Sequence, residues 1–287
     1  MTDLPVLEAT GLGKRYRRKW ALRDCSLALP KGRVAALVGP NGAGKTTLLH
    51  LAVGLLSPSE GTVRSTGATA FLAQDKPLYR GFTVAETLKF GRLLNPTWDD
   101  AYAHDRVAAL GLPLDAKAGT LSGGQQAQVA LTLGLAKRPD LLVLDEPLAN
   151  LDPLARHEVM RGLMEAVAET GLTVLLSSHV MSDLRDTCDW LVVLNGGRVQ
   201  VSGDIDELIA GHRLLTGPAE DADALARRVE VVDRSGSRRQ VSLLARTGPI
   251  PLGPQWTERP VDLEELVLAY LRRPDAASLP RPTLATA

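Results

Sequence analysis

Along this chain, short unbroken apolar runs alternate with longer stretches of helical spacing. Val34 to Val38, Leu141 to Leu144 and Thr173 to Leu176 have no alternating polar positions, the pattern of strands buried on both faces of a parallel sheet. Helical spacing predicts a helix from Thr47 to Leu56, further helices between Phe82 and about Lys137, and one that Pro153 starts and that runs to about Thr170. Thr83, followed three residues later by Glu86, is a capping-box signature. Val6 to Leu12 and Trp20 to Leu29 flank a basic stretch and read as strands of an antiparallel layer; further strands fall near Thr62 and Val63 and from Ala68 to Ala73, just before Gln74. Trp190 to Leu194 and Arg198 to Val201 read as a hairpin around an Asn195-Gly196 turn, and Asp204 opens a helix that stops at Gly211. Beyond it, Arg227 to Ala245 alternates loosely enough for two strands. Val261 to Leu271 has the spacing of a helix burying Leu263, Leu266, Val267 and Tyr270. Strands alternating with helices make an α/β chain with a parallel sheet. The expected organisation is a main domain over 1–211 with a helical insert at about 82–137, a small α+β unit over 212–273, and a disordered tail over 274–287.

The chemistry concentrates after the first buried run. Gly39, Pro40, Asn41, Gly42, Ala43, Gly44, Lys45, Thr46 and Thr47 fit the P-loop pattern GxxxxGK[ST], with a strand before it and a helix after it. Glycines let the backbone turn so that successive N–H groups point at a phosphate chain seated on the helix N-terminus. Lys45 is expected to reach the β- and γ-phosphates, Thr46 to ligate the Mg²⁺ that bridges them, and Thr47 to bond the α-phosphate side.

P-loops serve many enzymes, so the later motifs decide. Leu121 to Gln125 reads LSGGQ, ahead of the apolar run that ends in Asp145 and Glu146. The order of Tyr16, P-loop, Gln74, LSGGQ, Asp145-Glu146, ANLD at Ala149 to Asp152, and His179 resembles the ATP-binding cassette (ABC) family over residues 6 to about 203. The resemblance implies the P-loop NTPase fold of ABC ATPases: a parallel-sheet core with an antiparallel β subdomain and a helical subdomain. It implies Tyr16 stacking on adenine, Asp145 and Gln74 facing Mg²⁺, Glu146 as the carboxylate that polarises the attacking water, and His179 as a γ-phosphate contact. Ser122, Gly123, Gly124 and Gln125 would serve the ATP held by a partner cassette, with Asp152 at the seam between two cassettes. The implied machine is a dimer of cassettes driving a separate transmembrane permease, docked near Lys76 to Phe90. The short domain that follows, ending in a helix, is similar to bacterial exporters. After LSGGQ the family continues with basic residues, whereas this chain has Gln126, Ala127 and Gln128; Gly61 to Gln74 is also short, so the β layer is expected to lack a strand or loop.

Composition narrows the alternatives. Lys plus Arg equal Asp plus Glu at 33 each, so no global charge favours nucleic acid. No apolar stretch approaches the roughly 18 residues of a membrane span, and the first residues lack a signal-peptide pattern, so a cytoplasmic protein on the inner face of the membrane is expected. The two cysteines, Cys25 and Cys188, have no metal-type spacing. A soluble ABC ATPase acting on ribosomes or nucleic acid is the rival reading. A GTPase would need an NKxD motif that the sequence lacks.

Overall fold

The computed structural model describes residues 5–76, 78–178, 182–185, 187–247 and 250–273. The chain opens with β1 (Pro5–Tyr16), β2 (Lys19–Pro30) and β3 (Val34–Val38), then α1 (Lys45–Ala52), β4 (Glu60–Ser65) and β5 (Thr69–Leu72). Three helices follow: α2 (Val84–Leu94), α3 (Asp100–Ala109) and α4 (Gly123–Ala136). Next come β6 (Leu141–Leu144), α5 (Pro153–Thr170), β7 (Thr173–Ser178), α6 (Ser182–Arg185), β8 (Trp190–Asn195), β9 (Arg198–Asp204) and α7 (Ile205–Ala210). The last unit holds β10 (His212–Pro218), α8 (Ala222–Ala226), β11 (Glu230–Gly236), β12 (Gln240–Arg246), β13 (Thr257–Pro260) and α9 (Leu263–Arg272).

The central sheet runs β5-β6-β7-β3-β8-β9, parallel throughout except for β9. Its apolar runs lack alternation because both faces are covered. Val34, Ala36 and Val38 of β3 point toward α4 and α5, while Ala35 and Leu37 point toward the β1-β2 layer and α1. β1 pairs with β2 on one side and β4 on the other, so the antiparallel layer has three strands, and β5 joins the parallel sheet instead. The helical unit has its own core, including Val84, Leu88, Val107 and Val129, and α2 starts on the Thr83-Glu86 capping box.

Several elements differ from the sequence reading. Helix α1 begins at Lys45 and ends at Ala52 because Gly54 adopts φ 74°, a left-handed stop that the apolar Leu55 and Leu56 conceal. The β8-β9 hairpin turns on Gly196-Gly197, at φ 56° and 76°, with Asn195 paired to Arg198. A two-residue turn with both central residues at positive φ shifts the corner one place beyond Asn-Gly. The C-terminal sheet, ordered β11-β12-β10-β13, contains β10 and β13 beside the two strands read from sequence. Helix α9 buries Leu266, Val267 and Tyr270 in the same core as β8, and Asn195 Nδ2 donates to Leu271 O at 2.7 Å, so this unit packs on the main sheet.

Candidate active site

In an open α/β sheet, ligands bind beyond the carboxyl ends of the strands. Here β3 leads into the P-loop, β5 into Gln74, and β6 into Asp145 and Glu146, while β7 ends at Ser177 and Ser178 between β6 and β3. Gly44 caps α1 at φ 106°, and a Cβ there would lie 2.7 Å from Ala21 O, so only glycine fits. Lys45, only 6% exposed, donates from Nζ to Gly39 O at 2.8 Å and lies 3.7 Å from Glu146 Oε1. Gln74 Nε2 reaches the other Glu146 oxygen, Oε2, at 3.5 Å. The carboxylate is thus held at both oxygens, by a buried cation and by an amide.

The neighbouring acids diverge because of the backbone. Glu146 adopts φ 44°, a left-handed conformation for a non-glycine residue, and its N–H donates to Ser177 Oγ at 2.8 Å. Ser177 Oγ donates in turn to Asp145 Oδ1 at 2.7 Å. Asp145 is therefore turned inward, 4% exposed, while Glu146 faces an open cavity of about 550 Å³. Ser177 is a site residue that the motif reading missed; its signal was a small polar residue directly after the apolar run Val174 to Leu176.

The cavity runs between the P-loop and the β1-β2 hairpin. Pro40, Asn41, Gly42, Gly44 and Lys45 form one wall, and Thr46 and Thr47 its floor at the head of α1. Gln74 and Glu146 close one end. Tyr16, 47% exposed, lines the cavity from the β1-β2 hairpin together with Lys19, Trp20 and Ala21, and Lys14 Nζ lies 5.5 Å from its ring centroid. Lys19 and Trp20 were not singled out from sequence, where they read as part of a basic run and a strand start. Gly39 and Ala43 are buried behind the loop, with Ala43 in the core beneath β2.

Ser122 to Gln125 and Asp152 do not line this cavity. Ser122 caps α4: its Oγ accepts from Gln125 N at 3.2 Å while Gln125 Oε1 accepts from Ser122 N at 2.9 Å. The Gln125 side chain is thus engaged in its own helix cap. Gly123 and Gly124 form the first turn above it. Asp152 caps α5 by accepting from Ala155 N at 3.0 Å. His179 lies outside the described residues. Burial pushes the thiols of Cys25 and Cys188 up to about 11 and about 12, away from reactive thiolate.

Among the described residues no cluster of three or more His, Cys, Asp or Glu can hold a metal unaided. The Thr46 hydroxyl on the cavity floor and the Asp145 carboxylate offer two oxygen donors, a set that fits a hard cation retaining waters and bridging substrate phosphates.

Residues 22–149 match the sequence model of the family described as ABC transporter. The chain is 32% identical to the Nod factor export ATP-binding protein I of Ralstonia nicotianae, over 94% of both chains. The chain belongs to the ABC transporter family. It is an ATP-binding and ATP-hydrolysing subunit of such a transporter. Relatives include the sulfate/thiosulfate import ATP-binding protein CysA 2 of Rhizobium meliloti, 36% identical over 68% of this chain and 59% of that one. A solved ATP-binding subunit of an ABC transporter superposes with a TM-score of 0.64 at 27% identity, covering 71% of this chain and 91% of that one. Subunits of this family work with transmembrane permeases, and among the described residues of this cassette no helix is long and apolar enough to cross a membrane.

Proposed function

We propose that this cassette hydrolyses Mg²⁺-bound ATP as half of a homodimer on the cytoplasmic face of the membrane, and that its closure and reopening drive export through a separate permease. The observation that carries the catalytic reading is the meeting of Lys45, Gln74 and Glu146 in one cavity. Lys45 binds the β- and γ-phosphates in exchange for its present oxygen partners, and the N-terminus of α1 supports the same charge. Thr46, Asp145 and Gln74 hold the Mg²⁺, which when bound neutralises charge on the phosphate oxygens. Glu146, steered into the cavity by its backbone, takes up the proton of the attacking water as Gln74 keeps its carboxylate in line. Tyr16 stacks on the base and His179 contacts the γ-phosphate.

Ser122 and the N–H groups of Gly123 and Gly124 cap the partner's nucleotide, with Asp152 at the seam. Export is favoured because the match to the Nod factor exporter extends over 94% of the chain, C-terminal unit included. A permease is expected against α2 and the segment before it, where Tyr79, Phe82 and Phe90 cluster and Leu93 and Leu94 are exposed.

The test is Glu146→Gln. Turnover should fall on the order of 10² to 10⁴ fold, the scale of losing a general base, with ATP affinity retained. The variant trapped with ATP should run as a dimer and bring down a polytopic membrane protein. Equal loss of affinity and turnover refutes the role of Glu146, and recovery of ribosomes in place of a membrane protein refutes the transporter assignment of the complex.

A further inference from the structure

The three positions after LSGGQ carry no charge, yet one of them is buried where an amide needs a partner. Gln128 on α4 is 5% exposed, beside Ala127, Val129 and Leu131 of the core. A primary amide in that position is costly unless hydrogen-bonded. Its partner comes from another helix: Arg106 of α3 donates from Nη2 to Gln128 Oε1 at 3.1 Å. The same guanidinium reaches the middle of α5, where Nη1 donates to Gly162 O at 3.4 Å. Arg106 Nε is buried without a hydrogen-bond partner. The side chain therefore sits where it joins two helices, at the expense of one of its own donors.

The contact with α5 depends on a glycine. A Cβ on Gly162 would lie 2.4 Å from Arg106 Nη2, so a larger residue would push the guanidinium out. The two helices also touch at their N-terminal ends, where a Cβ on Gly124 would meet Ala155 Cβ at 2.8 Å. Gln128 lies six residues beyond Ser122, about 9 Å along the axis of α4 at 1.5 Å per residue. Two contacts separated in this way restrain both rocking and rolling of α4 against α5.

We propose that Arg106 is a positioning residue that braces α4 against α5, so that Ser122 and Asp152, the caps of these two helices, reach the partner cassette as one rigid unit. The inference rests on the reading that both caps meet the partner. Helix α4 packs on the parallel sheet beside α5 through Ala127, Ala130 and Leu131, and α3 buries Ala103 and Val107 in the core of the helical unit, so the brace from Arg106 also ties the helical unit to the α4-α5 pair. It touches neither the cavity nor its lining residues.

The experiment measures ATPase kinetics, nucleotide affinity and thermal melting for Arg106→Ala, Gly162→Ala and the swapped pair Arg106→Gln with Gln128→Arg. Loss of the brace should lower kcat on the order of tenfold, the scale of losing a hydrogen bond to a charged group, with KM and ATP affinity within about twofold. Gly162→Ala should reproduce this effect. The swapped pair returns a guanidinium-amide bond across the same gap and should recover most of kcat. Unchanged turnover in Arg106→Ala overturns the proposal. So does a swapped pair that melts as wild type yet remains as slow as the single variant, or a parallel loss of melting temperature, affinity and kcat in all three. Glu146→Gln is assayed alongside: if it retains turnover, the reading of the catalytic site has failed, independently of the brace.

Discussion

Ser177 shows how one side chain divides the work of two adjacent acids. Its hydroxyl donates to Asp145 and accepts from the Glu146 N–H, and it is fully buried, so no water can substitute for it. In Ser177→Ala, both partners lose a hydrogen bond inside the protein. The expected cost is about 1–3 kcal/mol of stability, measured by urea unfolding, with a drop in turnover larger than any drop in ATP affinity. A stable variant with normal turnover would mean that the left-handed backbone of Glu146 alone sets its direction. At this scale, Lys45, Thr46, Asp145 and Glu146 could be named from sequence because their spacing is tied to local loop and strand geometry. Ser177, Lys19 and Trp20 could not, because Ser177 meets the two acids from a neighbouring strand and Lys19 and Trp20 reach the cavity from β2, outside the motif elements.

Helix ends carry the functional groups in this fold, and their caps decide where the helices start. Thr83 and Glu86 close a reciprocal box on α2, at 3.1 Å and 2.8 Å, beside the aromatic cluster of Tyr79, Phe82 and Phe90. Thr83→Ala is expected to cost about 1 kcal/mol, read as a lower melting temperature, with ATP affinity unchanged because α2 lies away from the cavity. An unaltered melting temperature would show that packing of Val84 and Leu88 alone fixes the start of the helix. Boxes of this kind are legible because they involve residues three apart. Strand β13 was not: Thr257 to Pro260 has no alternating apolar pattern, every residue is exposed, and it exists only by pairing with β10. Strand β10 was hidden similarly, with Gly217 and Pro218 at its end masking Leu214 and Leu215.

Over the whole molecule, the C-terminal unit is joined to the cassette through α9 and through a buried polar pair. His212 Nδ1 donates to Leu208 O at 2.6 Å, and Nε2 accepts from Tyr270 O–H at 2.9 Å, a fully partnered neutral imidazole. Burial holds its pKa below the ordinary 6.5, only partly opposed by the Leu208 carbonyl, with Arg246 and Glu230 acting in opposite directions. Below pH 6.5 the unfolded chain takes up a proton that the folded chain resists. The stabilisation is therefore complete above about pH 6.5 and is lost as the pH falls toward the folded value. Melting temperature should fall between pH 7.5 and pH 5.5, and His212→Gln should reduce the part of that fall assigned to this residue. An identical pH dependence in the variant would remove His212 as its source.

The sequence by itself determined the family, the parallel sheet, and the loop and strand ends that carry Lys45, Thr46, Asp145 and Glu146. Each depends on local spacing: glycines where the backbone must turn, apolar runs where both faces are covered, acids at a strand end. Only the tertiary structure decided that Glu146 is held between Lys45 and Gln74, that Ser177 separates the two acids, and that Arg106 spans α3, α4 and α5. Those contacts join residues far apart in the chain, at distances set by how the strands and helices pack. No periodicity along the chain encodes which of its polar side chains will meet.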